Sequence, residues 1–369
     1  MKISLLQENL NKGLATVSRS VSAKATLPIL SNILLATDKG GLKLSATNLE
    51  IGLNYWLGAK VEEEGAICIP AKFLTEFVAS LPSQKVDLET KENSLMISCQ
   101  GFKATFMGMS PNEFPQIPKA NSDSAVTFEK KEFLKAINQV VFSASTDEGR
   151  PALTGVLLKP QEDKVSLVAT DGYRLSVKTL SANLKITSPI IIPAKTLIEI
   201  SRIISDSEDI KEVVLSLAEN ESQVIFSFPQ IELASRLIEG EFPNFEKIIP
   251  EKFEIKSSFD REELLRAVKI ASVFAREQAN IVKLIFADNK IKVSAETSQM
   301  GSSEMEIEAK TSSGSLEIAF NYRFLLDFLN ATNGEEIVFE ALGALNPGSF
   351  KVNGDSSFFH IIMPVRIQA

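Results

Sequence analysis

The phrase Ile69-Pro70-Ala71-Lys72 returns as Ile192-Pro193-Ala194-Lys195, 123 residues further on, and 123 is one third of the 369-residue chain. That spacing predicts three copies of one structural unit, and self-similarity at a fixed period constrains a fold more than composition does. The third copy is LEIAFNYRFLLDFLNAT, residues 316–332, with Phe320-Asn321 where the others have Pro-Ala. Each copy sets a basic residue ahead of apolar positions at helical spacing. These are Lys72 before Phe73, Leu74, Phe77 and Val78; Lys195 before Leu197, Ile198, Ile203 and Ile204; and Arg323 before Phe324, Leu325, Phe328 and Leu329. Proline suits the first turn of a helix, where its missing N–H would be unpaired anyway.

Other phrases repeat in step. LPILSNILLATDKGGLKLSATNLEIGL (27–53) matches RPALTGVLLKPQEDKVSLVATDGYRLSV (150–177), and ANIVKLIFADNKIKVSAETSQMGSS (279–303) is a weaker third version. Each reads as two alternating strands joined by a polar turn. A longer helix opens each unit, with Leu10, Leu14, Val17 and Val21 on one face over 7–22, Leu134, Ile137 and Val141 over 129–144, and Leu264, Leu265, Val268 and Ser272 over 260–276. Extended connectors, FPQIPKANSDSA (114–125) and FPNFEKIIPEKF (242–253), separate the units. The expected fold is α+β, in three tandem domains over 1–119, 120–247 and 248–369. Each domain packs two helices on antiparallel sheets of about eight strands in all.

No apolar run approaches the roughly 20 residues of a bilayer span, and the amino terminus reads as a strand entering a helix, not as a signal peptide. Two cysteines, Cys68 and Cys99, sit in alternating strand patterns and are expected to be buried free thiols in a cytoplasmic protein. The net charge is −8, yet the six helical segments carry 14 basic and 10 acidic residues, so the rest of the chain is the acidic part. A gathered cationic face is compatible with nucleic acid, but a solvated helix face looks similar, and charge alone does not decide. Chemistry-bearing motifs are missing: there is no phosphate-binding or dinucleotide glycine loop, no metal-spaced Cys/His cluster, and one histidine, His360, in a strand pattern. Asp171-Gly172 reads as a tight turn before it reads as a catalytic acid. No catalytic residue, metal or cofactor is therefore expected.

Together the triplicated unit, LPILSNILL, ATDGYRLSV, EFPNFEKIIP and the terminal IIMPVRI closely resemble the bacterial DNA sliding clamps, the beta subunits of DNA polymerase III holoenzyme. The resemblance spans the whole chain. It implies a non-catalytic processivity factor, a head-to-tail homodimer whose six domains form a ring around double-stranded DNA, helices inward and sheets outward. It implies as partners the clamp loader, the replicative DNA polymerase and other proteins carrying a clamp-binding motif, in the cytoplasm and with no membrane. A scaffold of repeats that binds peptides but not DNA is the alternative.

By position, the family's peptide-binding cleft falls on Leu153, Thr170, Gly172, Tyr173, Arg174, Leu175, Pro243, Lys247, Ile248, Asn321, Phe324, Pro347, Ser349, Ile361, Ile362, Met363, Pro364, Val365 and Arg366. Tyr173, Lys247 and Phe324 depart from the His, Arg and Tyr common there. DNA contacts fall on Lys12, Arg19, Lys24, Lys72, Lys135, Arg150, Lys195, Arg202, Arg266, Lys269 and Arg323. The subunit interface falls on Phe106 and Met107 against Val273 and Phe274.

Overall fold

The computed structural model describes the chain apart from residues 23–26, 183–184, 220, 278, 298–300, 313 and 367–369, and the side chain of Ser122. Lys24 therefore lies outside the described residues. Chain contacts define two units, Met1–Lys130 with Arg202–Leu237, and Lys131–Ser201 with Ile238–Ala369.

In the first unit, a five-stranded sheet runs β5 (Lys60–Glu63), β1 (Lys2–Leu6), β7 (Lys85–Lys91), β8 (Ser94–Cys99), β9 (Phe102–Met107). An eight-stranded sheet runs β10 (Val126–Glu129), β15 (Glu212–Leu217), β16 (Gln223–Ser227), β17 (Ile231–Arg236), β4 (Ile51–Leu57), β3 (Gly41–Thr47), β2 (Asn32–Asp38), β6 (Ala66–Pro70). The second unit is built on a twelve-stranded sheet. Its order is β14 (Ile190–Pro193), β11 (Gly155–Gln161), β12 (Lys164–Thr170), β13 (Arg174–Ser181), β25 (Phe358–Ile362), β24 (Gly348–Val352), β23 (Glu336–Ala341), β18 (Ile255–Asp260), β21 (Gly301–Thr311), β20 (Lys290–Thr297), β19 (Ile281–Ala287), β22 (Leu316–Asn321). Every pairing is antiparallel, as alternating patterns and short turns require.

Six helices follow the repeat: α1 (Gln7–Val17), α2 (Ala71–Ser80), α3 (Lys130–Val140), α4 (Ala194–Ser205), α5 (Arg261–Ala275) and α6 (Tyr322–Ala331). The IPAK phrase is a strand-to-helix junction. Pro70 and Pro193 are the last residues of β6 and β14, one position earlier than a first-turn proline. Both strands are sheet edges, so no ladder bond is lost to the missing N–H. The third copy solves the same junction differently, with the Asn321 side chain accepting a hydrogen bond from the Arg323 N–H (3.0 Å) as a helix cap.

The first helices are shorter than the periodicity predicts. α1 ends at Val17 and Val21 is only half-buried; in α3 the buried face is Phe133, Ala136, Ile137 and Val140, leaving Leu134 and Val141 half-buried. The register is off by one there because Phe133, the bulkier side chain, takes the core position. The α5 face holds as predicted, with Asp260 capping the Glu263 N–H at 2.8 Å. Under β18–β25 the core is dominated by stacked phenylalanines, among them Phe286 and Phe339 at 4.5 Å and Phe320, Phe328 and Phe350 within 5.7 Å of a neighbour. Burying each such ring is worth about 2–3 kcal/mol.

Candidate peptide-binding cleft

The cleft begins at a turn. Between β12 and β13, the Thr170 hydroxyl accepts from the Gly172 N–H (3.1 Å) and donates to the Arg174 carbonyl (2.6 Å). One Asp171 carboxylate oxygen accepts from the Tyr173 and Arg174 N–H groups at 2.8 and 3.0 Å. Gly172 takes φ of 93°, which glycine adopts without steric cost. Asp171 is thus a turn residue, as its sequence context predicts.

The strands beyond the turn supply the floor. Arg174 pairs with Ile362 and Leu175 with Ile361, while Gly348 and Ser349 pair with the same two residues from the other side. Leu175 and Ile361 are buried with Leu157, Val168, Val177, Ile191 and Phe245 in one cluster; Leu153, Thr170, Ser349 and Ile362 are buried as well. Phe245 fastens the connector across this floor, helped by Lys159, which pairs with Glu246 at 2.6 Å and lies 5.6 Å over the Phe245 ring. Pro243, Lys247 and Ile248, on either side of Phe245 in the connector, stand exposed.

The terminal segment is pinned by two backbone bonds, Met363 N–H to the Tyr173 carbonyl and Val365 N–H to the Ala319 carbonyl, both 2.8 Å. Met363 and Arg366 are exposed; Pro347, Pro364, Val365, Asn321 and Phe324 are half-buried. Tyr173, 63% exposed, forms the lip. The result is a surface with an apolar base and a mobile-chained methionine beside it, which suits short apolar peptide segments.

Arg174 is not a free cation at this surface. Its guanidinium pairs with Asp171 (3.0 Å) and Asp327 (2.5 Å), donates to the Phe142 carbonyl (2.6 Å), and lies between the Phe324 and Phe142 rings at 4.5 and 5.4 Å. It locks the turn to α6 and to the end of α3. Beneath it, His360 is fully buried between Phe142 and Phe328, and its Nδ1 is linked through the Ser176 hydroxyl to Ser143 by two 2.8 Å contacts. Burial, reinforced by Arg174, pushes His360 well below the usual imidazole range, so it is neutral at pH 7. The Ser176–His360 pair has the spacing of a nucleophile and base but is sealed from any substrate. Among the described residues no group of His, Cys, Asp and Glu is arranged to hold a metal.

The sequence reading did not single out Leu342 and Leu345. Both are exposed, on the loop leading into β24 at the end where Gly348 faces Ile362. Two leucines in the turn-rich stretch Leu342-Gly343-Ala344-Leu345-Asn346-Pro347 were the available signal.

The ten described cations expected to meet DNA are all exposed. Several are in acidic company, among them Arg19 with Asp206 (3.6 Å), Lys135 with Asp355 (3.4 Å), Arg150 with Asp147 (3.4 Å) and Lys195 with Glu148 (3.9 Å). Arg150 also donates to the Asp171 carbonyl (3.3 Å), which puts it over the cleft turn. Of the expected interface residues, Met107 and Val273 are exposed, Phe106 packs edge-on against Phe77 at 5.5 Å, and Phe274 leans on the core.

Family models for the DNA polymerase III beta subunit match in order: the N-terminal domain over residues 1–118, the central domain over 127–244 and the C-terminal domain over 246–366. This chain belongs to that family. The beta sliding clamp of Staphylococcus aureus is 31% identical over 360 residues, 94% of each chain, and that of Synechococcus elongatus is 30% identical over the full length of both. Among solved structures, the DNA polymerase sliding clamp from Bacillus subtilis superposes with a TM-score of 0.95 at 27% identity, and the Pseudomonas aeruginosa beta subunit bound to griselimycin with 0.94 at 25%, each covering both chains completely. The three-domain, mixed α and antiparallel β architecture is the one these clamps share.

Proposed function

We propose that this chain is a DNA polymerase processivity factor, a non-catalytic clamp that encircles duplex DNA and tethers the replicative polymerase through the cleft around Leu175, Ile361 and Met363. The three domains are taken as 1–119, 120–247 and 248–369.

The observation that carries the ring is a pairing rule within the chain. β4 pairs with β17, and β13 pairs with β25. In each case the strand after a domain's second hairpin strand meets the last strand of the next domain. The strands left in the same two positions are β21 and β9. Among the described residues, β9 pairs only with β8, and β21 over Gly301–Glu308 pairs only with β20. Pairing β21 with β9 of a second copy, head to tail, continues the rule and covers both edges. Gly52, Leu175 and Ser302 are equivalent, each three residues before the residue that faces Leu44, Leu167 or Val293 in its hairpin. Carrying the register across sets Gly301 opposite the partner subunit's Phe106, and Glu304 opposite the partner subunit's Lys103.

Helices follow a matching rule. Arg19, just past the end of α1, pairs with Asp206, just past the end of α4, and α3 and α6 flank one groove lined by Lys135, Asn138, Asp327 and Asn330. α5 and α2 remain, and they expose Ile270, Val273 and Phe73. These join Phe106, Met107 and Phe274 as the expected subunit interface.

The cations on the helices are distributed and partly neutralised. That suits a surface that slides along phosphates without gripping them, retention coming from closure of the ring. The test is to load the protein on nicked circular DNA with its loader and then cut the circle. Release on cutting is expected; equal retention on linear DNA would mean that affinity, not encirclement, holds it.

A further inference from the structure

The dipeptide Asn-Gly occurs twice in the chain, as Asn333-Gly334 and Asn353-Gly354. No other pair exposes an asparagine amide so readily to attack by the next backbone nitrogen, because glycine has no side chain to obstruct the approach. Both copies lie at the same end of the β23–β24 pair, one entering β23 and the other leaving β24.

The fold treats them differently. The Asn353 N–H donates to the Glu336 carbonyl at 2.9 Å, and its side-chain amide donates to the Glu336 carboxylate. The turn behind it is closed by the Asp355 N–H on the Val352 carbonyl at 3.1 Å. To react, the Asn353 amide would have to leave Glu336 and turn back on its own chain. Asn333 instead follows α6, where the chain straightens. Thr332 holds extended φ and ψ of −110° and 143°, and its hydroxyl donates to the Phe328 and Leu329 carbonyls at 3.2 and 3.3 Å. Asn333 is exposed, and among the described residues neither its side chain nor the Gly334 N–H has a hydrogen-bond partner. Gly334 cannot be exchanged for a shielding residue, since a Cβ there would come within 2.1 Å of Val352 Cγ1. Packing against Val352 thus fixes a glycine behind the unheld asparagine.

We propose that Asn333 is a modification site, at which the native protein deamidates spontaneously while Asn353 is preserved. The Gly334 nitrogen attacks Asn333 Cγ and a C–N bond forms. The side-chain nitrogen leaves as ammonia, taking the Gly334 amide proton with it. Water then opens the five-membered imide at either carbonyl, giving aspartate or isoaspartate. Asn333 lines the groove of about 680 Å³ between α3 and α6, together with Lys131, Lys135, Glu132 and Asp327. The two lysines balance the two carboxylates, and a further carboxylate, ionised at neutral pH, makes the groove negative. A negative groove repels phosphate. That consequence rests on the DNA-encircling reading, whereas the modification does not.

The experiment ages the full-length chain in mildly alkaline buffer, native and in urea, and follows both dipeptides by mass spectrometry. In urea the two asparagines are expected to convert at similar rates. In the native protein Asn333 is expected to convert about tenfold faster than Asn353, which reacts only from locally opened molecules. A native ratio no larger than the ratio in urea overturns the site. Asn333→Asp and Asn333→Gln then test the groove, glutamine keeping the amide because its ring closure is six-membered and slow. Asn333→Asp is expected to load onto nicked circular DNA about twofold more slowly than Asn333→Gln at low salt, the gap closing as salt is raised. Equal loading at low salt overturns the effect on DNA. A wild type that does not load at all overturns the encircling reading instead, and the mass shifts still decide the modification.

Discussion

Asp355 shows how one residue sets local stability. It sits between Lys178, whose side chain is 2% exposed, at 3.5 Å, and Lys135 at 3.4 Å, and it accepts from both the Ser357 N–H and hydroxyl. Burial alone would raise its pKa, but the Ser357 hydrogen bonds and then the two lysines outweigh this and hold it at about 2. Burial likewise draws Lys178 below the usual lysine range, with Asp355 opposing. Asp355→Ala is expected to cost about 3 kcal/mol, because it strands the Lys178 ammonium, whereas Lys178→Met should be close to neutral. Chemical denaturation of the two variants measures both. The sign with pH follows: a carboxyl held low in the folded state stabilises above its unfolded pKa of about 3.9 and loses that contribution as pH falls through about 2. Wild type should therefore lose stability faster than Asp355→Asn over that acid range. None of this was legible in the sequence, where Asp355 and Lys178 lie 177 residues apart.

Elements were more legible than their ends. Six helices and the hairpins follow from apolar spacing and turn residues, and the repeat fixed which phrase belonged to which element. The misread α3 face came from weighing Leu134 and Phe133 alike, when a larger ring wins the core position. The cleft was legible by resemblance only as a set of positions. Which of them floor it and which are exposed depends on strand pairing across the β13–β25 junction, which local pattern does not encode. Arg174 is the clearest case, a cation in the sequence and an internal tie in the fold. The terminal segment is held by backbone bonds from Met363 and Val365 with little core of its own. Deleting 363–369 should leave folding and dimerisation intact, lower the Tm slightly, and abolish binding of a short clamp-binding peptide. Each lost apolar anchor is worth about 2 kcal/mol. Calorimetry beside peptide titration separates these effects, and wholesale unfolding would show that the tail is core.

At the scale of the whole molecule, the proposed ring requires a mass near twice 40.4 kDa in solution. Lys103→Glu should shift the protein toward monomer by setting like charges across the β21–β9 seam, and adding Glu304→Lys should restore the dimer, read by sedimentation. Failure of the double variant to recover would point to another register. One further property follows from where the sulfur atoms lie. Both thiols are buried, and burial, aided by Glu113, pushes Cys68 up to about 12, so almost no thiolate forms at neutral pH. Cys68 anchors the edge strand β6 and Cys99 ends β8, both in the first unit. A thiol-alkylating reagent consequently reacts only when that region opens, and its slow uptake becomes a clock for the breathing of one end of the chain while the other end stays silent.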